Sequence, residues 1–174
     1  MRVIAGEFRS RRLKTIPGLD VRPTPDRLRE ALFSVLAPRI DGVTFLDAYA
    51  GSGSVGIEAL SRGAARAVFI EKNAAAVRVI RENLASLDIS DRATLAQSAV
   101  LPALRKFEAD IYFLDPPYDA LAEYESALNL LGARHALVLA QHSKRLSLSE
   151  AYGDLRRTRV LAQGDNAISF YVVS

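Results

Sequence analysis

Between residues 43 and 141 the chain alternates short apolar runs with helix-patterned stretches, and this rhythm narrows its possible folds more than any other feature. VTFLDAYA, RAVFIE, RATLAQSA, DIYFLD and HALVLAQ read as five strands, at residues 43–50, 66–71, 92–99, 110–115 and 135–141. Between them SVGIEALSRG (54–63), Ala74 to Leu87, Leu101 to Phe107 and Leu121 to Leu131 read as helices. In the longest, Val77, Ile80 and Leu84 fall on one face. Strands apolar along most of their length are buried on both sides, which requires a mostly parallel sheet with helices against it. The tail breaks the rhythm: LRRTRVLAQ, the turn Gly164-Asp165-Asn166 and AISFYVV read as an antiparallel hairpin. An α/β domain over residues 41–174, parallel with an antiparallel edge, is the expected architecture, and no internal repeat interrupts it.

Residues 1–40 have a different character. RVIAG and RRLKT are short candidate strands, closed by Pro17-Gly18. Thr24-Pro25-Asp26-Arg27 then supplies an N-cap threonine, a proline at the first helical position and an acid in the first turn. Leu28, Ala31, Leu32 and Val35 continue at helical spacing to about Ala37, ahead of Pro38. Residues 1–30 hold eight Lys/Arg against four Asp/Glu, whereas the other 144 residues hold fifteen against sixteen. The whole basic excess therefore lies in this N-terminal extension, which suggests a polyanionic partner; a passive, solvated arm is the alternative.

Composition removes several chemistries. The chain has no cysteine, so disulfides, thiolate zinc sites, iron–sulfur clusters and cysteine nucleophiles are excluded. With two histidines, His135 and His142, no metal site is expected. No apolar run approaches the ~20 residues of a membrane-spanning helix. MRVIAGEFRSRR lacks an apolar h-region, so no secretory signal is expected and a cytoplasmic location is.

Two motifs carry chemistry. The first is Asp47-Ala48-Tyr49-Ala50-Gly51-Ser52-Gly53-Ser54-Val55-Gly56, which joins the first strand to its helix. Its glycines allow a tight turn and a close ligand approach at a helix N-terminus. Glu71 ends the second strand, twenty residues after Gly51, where an acid can accept ribose hydroxyls. Together they argue for an adenosine-containing cofactor. Asp47 inside the loop would repel a pyrophosphate but can hold an ammonium, which favours S-adenosylmethionine over a dinucleotide.

The second motif is Asp115-Pro116-Pro117-Tyr118, at the end of the fourth strand and hence on the same sheet edge. Two prolines fix the backbone and remove two N–H donors, leaving the Pro116 carbonyl as an acceptor beside the Asp115 carboxylate. Two acceptors can grip an –NH2 group, and Tyr118 offers a face on which a flat ring can stack. Hydrogen bonds from both amine protons favour a more tetrahedral nitrogen and stabilise the positive charge that grows as it attacks a methyl group. Asp115 can then take the surplus proton.

With DPPY after the fourth strand and DAYAGSGSVG after the first, the chain resembles the amino-group methyltransferases that use S-adenosylmethionine. RVIAGEFRSRRL, RPTPDRLREALFSVL, DAYAGSGSVGIEALSRGA, LDPPY and the closing ISFY further resemble the RsmD family, bacterial guanine-N2 methyltransferases of 16S ribosomal RNA. The likeness covers essentially the whole chain, and RPTPDRLRE is its most family-specific piece. It implies a Rossmann-like class I methyltransferase, α/β, with a seven-stranded mostly parallel sheet, an antiparallel terminal hairpin and a small N-terminal extension.

By position, the resemblance implies Asp47 and Gly51 at the methionine end of the cofactor and Glu71 on its ribose, with Gly53 also among the cofactor-binding residues. Ser98-Ala99 would lie near the adenine, where relatives often carry Asp or Asn; with Ser98 here, the backbone would serve instead. Asp115, Pro116, Pro117 and Tyr118 would hold the guanine amine as the catalytic set. Arg9, Arg11, Arg12 and Lys14 would contact RNA phosphates, with Arg22 among the substrate-binding residues. The RPTPDR run could equally cover the cofactor or cap a helix. In LAQHS, Gln141 and His142 are given no role, and His142 is expected at the surface. The partner would be ribosomal RNA, free or in an assembling small subunit, and nothing demands more than a monomer. Three other readings compete: a DNA adenine or cytosine methyltransferase, a protein-glutamine methyltransferase, and a non-catalytic RNA-binding module.

Overall fold

Apolar strands at the centre of the chain assemble into one eight-stranded sheet in a computed structural model that describes residues 1–18, 24–117 and 120–174. The strands are β1 (Thr44–Ala48), β2 (Arg66–Glu71), β3 (Ala93–Gln97), β4 (Ile111–Leu114), β5 (Leu137–Ser143), β6 (Ala151–Tyr152), β7 (Leu155–Gln163) and β8 (Asn166–Val173). Their order is β3-β2-β1-β4-β5-β8-β7-β6. The first five run parallel, and β8 inserts antiparallel between β5 and β7. Eight strands replace the expected seven because Ala151–Tyr152 folds back on Leu155 and Arg156 through Gly153, whose φ is 58°. Two residues are too few to display a period of two, so this strand is silent in the sequence.

Among the described residues five α-helices cover the faces: α1 (Asp26–Leu36), α2 (Ser54–Ser61), α3 (Ala74–Ser86), α4 (Val100–Lys106) and α5 (Leu121–Leu130). Side chains alternate across each strand. Phe45, Phe69, Phe113, Leu139 and Phe170 therefore meet Leu32 and Phe33 of α1, Ile57 of α2 and Ile80 and Leu84 of α3 on one face. Leu46, Val68, Leu114 and Val138 meet Leu104 of α4 and Tyr124 and Leu128 of α5 on the other. Among the described residues no helix is long and apolar enough to cross a membrane.

The N-terminal extension departs from its expected form. Instead of two strands it makes a single antiparallel bridge, Arg2 to Arg12. The reason lies in where its donors go. Ile4 N and Ala5 N donate to the two oxygens of the buried Glu58 carboxylate, at 2.9 and 3.1 Å, and Phe8 N donates to Ser61 Oγ at 3.0 Å. Val3, Phe8 and Leu13 are buried in the same core as α1, α2 and α3. Arg29 of α1, wholly buried, closes the assembly by donating to the carbonyl of Arg2 at 2.7 Å.

Thr24 is a second correction. The helix starts at Asp26 with Pro25 as the N-cap residue and no side-chain cap. The buried Thr24 hydroxyl donates instead to Gln141 Oε1 at 3.1 Å, joining the start of α1 to β5.

Candidate active site

Sheet topology creates a cleft before any side chain is considered. From β1 the chain winds outward to β2 and β3, then returns to place β4 on the other side of β1. Such a reversal opens a crevice at the carboxyl ends of the two strands. Asp47 of β1 lies opposite Phe69 of β2 and Phe113 of β4, so Glu71 and Asp115 each stand two residues further toward that edge. Phe113 lies opposite Leu139, which puts Gln141 level with Asp115. Alternation then places Asp47, Glu71, Asp115 and Gln141 on the sheet face that carries α1, α2 and α3.

Asp47 is 2% exposed, and its Oδ2 accepts a hydrogen bond from Gly56 N at 2.9 Å. Burial pushes its carboxyl well above the ordinary range; the Gly56 bond opposes this, and the charges of Asp115 and Glu71 add to it. Glu71 accepts from Gly51 N at 2.9 Å and from Asn73 N at 3.0 Å, which fixes the glycine turn to the end of β2. Burial likewise lifts Asp115 to about 7. Neither the Asp115 carboxylate nor the Pro116 carbonyl accepts a hydrogen bond from a described residue, and Pro116 is buried beside the exposed Pro117. Tyr118 lies outside the described residues, as does Arg22.

Three carboxylates thus meet on one edge, and none is in an ion pair with a cation of a described residue. Anionic groups held together in this way suit a ligand carrying positive charge, which S-adenosylmethionine does at both its ammonium and its sulfonium. The donor set therefore fits the cofactor inferred from the loop. Among the described residues no cluster of three or more His, Asp or Glu is arranged to hold a metal ion.

The glycines divide the work of the loop. Gly51 and Gly53 have φ of 58° and 84°, in the left-handed region. Gly56 serves packing, since a Cβ there would come within 2.4 Å of the Phe69 ring. Ser98 N donates to Glu71 O at 3.1 Å and Ser98 Oγ to Ala99 O at 2.8 Å, so the Ser98-Ala99 step is held locally at the end of β3.

Arg9, Arg11, Arg12 and Lys14 are exposed but not equivalent. Lys14 pairs with Glu82 at 3.0 Å, and Arg11 donates to Ser86 O at 2.8 Å, both on α3. The guanidinium groups of Arg9 and Arg12 have no partner among the described residues. Asn83, buried on α3, accepts from Lys14 N at 2.7 Å and donates to Lys14 O and Ser52 O, each at 3.1 Å. One side chain thereby ties the basic extension to the glycine loop. Its signal was present in the sequence as a polar residue on the apolar face of α3.

Other site residues carried no sequence signal. Tyr49, in the glycine loop, has a φ of 61°. For a bulky side chain that conformation costs of order 1–3 kcal/mol. Its hydroxyl donates to Glu123 Oε1 in the first turn of α5 at 2.7 Å. Burial first, then this hydrogen bond, pushes the Tyr49 phenol far up, so it stays protonated. Tyr124, the next residue, donates from its hydroxyl to the carbonyl of Gln141. His142 is 7% exposed, not at the surface as expected: its ring contacts Ser169 Oγ and Ser143 O, each at 2.8 Å, and stands edge-on to Tyr124. Burial lowers its pKa, which keeps it a neutral structural group.

A groove of about 440 Å³ lies at the opposite, amino-terminal edge, lined by Arg39, Val43, Asp110, His135 and Leu137 among others. It lacks the converging free acceptors of the carboxyl edge, since Asp110 Oδ2 already accepts from Thr44 N at 2.8 Å.

The family model described as conserved hypothetical protein 95 matches residues 1–172. YlbH of Bacillus subtilis, a proposed rRNA methyltransferase, is 34% identical over 98% of this chain and 98% of its own. Ribosomal RNA small subunit methyltransferase D of Escherichia coli is 39% identical over 75% of this chain and 66% of its own. The solved structure of yhhF from Escherichia coli, a proposed methyltransferase, superposes with a TM-score of 0.87 at 35% identity, covering 100% of this chain and 98% of that one.

Proposed function

We propose, from the premise that this chain belongs to the conserved hypothetical protein 95 family, the RsmD family of rRNA methyltransferases, that it methylates the exocyclic N2 amine of a guanine in small-subunit ribosomal RNA. The observation that carries the reading is the pairing of two free acceptors, Asp115 and the Pro116 carbonyl, with the cation-free carboxylates Asp47 and Glu71 on one edge. When bound, S-adenosylmethionine supplies an electrophilic methyl group on a cationic sulfur.

Asp47 would hold the ammonium of the methionine moiety, and Glu71, already gripping the glycine turn, would receive the ribose hydroxyls on its remaining lone pairs. The Ser98-Ala99 backbone would face the adenine. At the other half of the cleft, the two N–H groups of the guanine amine would donate to Asp115 and to the Pro116 carbonyl. That grip turns the nitrogen lone pair out of conjugation with the ring and toward the methyl group. As the nitrogen gains a methyl it loses one proton, and an Asp115 carboxylate oxygen accepts it. Tyr118 would stack on the base, which must leave any stack to enter the cleft. Arg9 and Arg12, with Arg11, Lys14 and Arg22, would meet phosphates on the RNA.

The test is methyl transfer from labelled S-adenosylmethionine to free RNA, assembly intermediates and small subunits from cells lacking the protein. Label recovered as N2-methylguanosine supports the reading and identifies the assembly state that is recognised. Label on adenine, on DNA or on protein overturns the substrate while sparing the cofactor assignment.

A further inference from the structure

We infer that Tyr49 is a positioning residue: through its hydrogen bond to Glu123 it sets the Asp115 segment against the glycine loop. The inference rests on the methyl-transfer reading and extends it to a residue that lies outside both sequence motifs' chemistry.

The argument begins with connectivity. Asp115 and Pro116 follow β4, which ends at Leu114, and α5 begins at Leu121, so chain connectivity couples the first turn of α5 to Asp115. β4 is flanked in the sheet by β1 and β5. Consecutive residues of α5 are tied to both flanks. Glu123 accepts from Tyr49, which follows β1, at 2.7 Å, and Tyr124 donates to the Gln141 carbonyl on β5. The first turn of α5 is thus held by ties to both flanks, and the proline rings fix the backbone φ of Pro116 and Pro117 after Asp115.

Of the two ties, only the one through Tyr49 reaches the cofactor half of the cleft. Asp47, two residues earlier, holds Gly56 N, and Gly51, two residues later, donates to Glu71. Tyr49 sits between these fixed points with a φ of 61°, a conformation rarely held by a non-glycine residue unless its surroundings impose it. The half-buried ring packs on the α4–α5 side of the sheet, which directs the hydroxyl to Glu123. A transfer step between two halves of a cleft depends on their separation, and a misplacement of about 1 Å can lower a rate ~100-fold.

Tyr49→Phe keeps the ring and removes only the donor. Expected is a fall in kcat of about tenfold, with KM for RNA and Kd for S-adenosylhomocysteine within about twofold of the parent. Glu123→Ala should match it, the double variant should fall no further, and Glu123→Gln, whose amide oxygen still accepts, should recover most of the loss. A kcat for Tyr49→Phe within about twofold of the parent, or a loss carried equally by cofactor affinity, overturns the inference. Amide hydrogen exchange over residues 120–124 reads the same tie without turnover. Faster exchange in Tyr49→Phe supports the inference even for RNA substrates that accept no methyl group, and unchanged exchange overturns it.

Discussion

A carboxylate that takes a proton near neutral pH must be raised from its ordinary range, and burial does this to Asp115, lifting it to about 7. Two consequences have opposite senses. Proton acceptance needs the ionised form, so methyl transfer should rise about tenfold per pH unit below that value and level off above it. Stability should move the other way. The folded protein binds this proton more tightly than the unfolded chain, whose aspartates titrate near ~3.9. The stabilisation is therefore complete below about 4 and lost as pH rises through about 7. Asp115→Asn should abolish turnover while melting above the ligand-free parent at pH 8, by roughly 2–4 °C per kcal/mol recovered. At pH 4 the two should melt together. A Tm difference that is the same at both pH values would remove the burial argument. Asp47, Glu71 and Asp115 were all legible in the sequence because each lies at or beside the end of a strand, and strand ends in a parallel sheet share an edge. The contacts of Tyr49 and Thr24 were not: their partners Glu123 and Gln141 lie 74 and 117 residues away.

At the level of elements, the alternation of strands and helices was readable because burial on both faces leaves long apolar runs, whereas the course of residues 1–18 was not. RVIAG and RRLKT have the composition of strands, but Ile4 and Ala5 of the first donate to Glu58 of α2, and Lys14 of the second donates to Asn83 of α3. That docking decides which basic residues can reach an RNA. Arg9→Ala with Arg12→Ala should lower the slope of log binding constant against log salt by about 1.5, as for two phosphate contacts. Lys14→Ala alone should change it by less, since its ammonium is already engaged by Glu82. Equal effects at all of these positions would mean that the Lys14–Glu82 pair opens on binding. The α2–β2 contact is likewise testable. A methyl group at Gly56 would stand 2.4 Å from the Phe69 ring, so α2 would have to lift from the sheet. Gly56→Ala should cost about 1–3 kcal/mol in chemical denaturation. It should also weaken cofactor binding, because the Gly56 N–H to Asp47 bond moves with the helix.

For the molecule as a whole, the reversal of strand order at β1 and β4 gathers negative charge into one cleft while the basic excess stays on the N-terminal extension outside it. Asp47 and Asp115 are both raised by burial, Asp115 to about 7, so near neutrality Asp115 holds a proton part of the time, which a cationic ligand must displace. Binding of S-adenosylmethionine should therefore release protons, and its affinity should increase with pH across neutrality. At a ligand concentration 100-fold above Kd the protein gains about 2.7 kcal/mol, and each tenfold loss of affinity removes about 1.4 kcal/mol. The thermal shift should accordingly be several degrees larger at pH 8 than at pH 6. S-adenosylhomocysteine keeps the ammonium but has a neutral sulfur, so its shift should depend on pH less steeply. Asp47→Asn should weaken both ligands, since the ammonium loses its counter-charge. Calorimetry in buffers of different ionisation enthalpy counts the released protons directly. A ligand shift independent of pH, with no proton release, would mean that Asp115 is already ionised before ligand binds. A cation of the protein would then have to lie among the carboxylates, and the charge argument for the cofactor would fall with that finding.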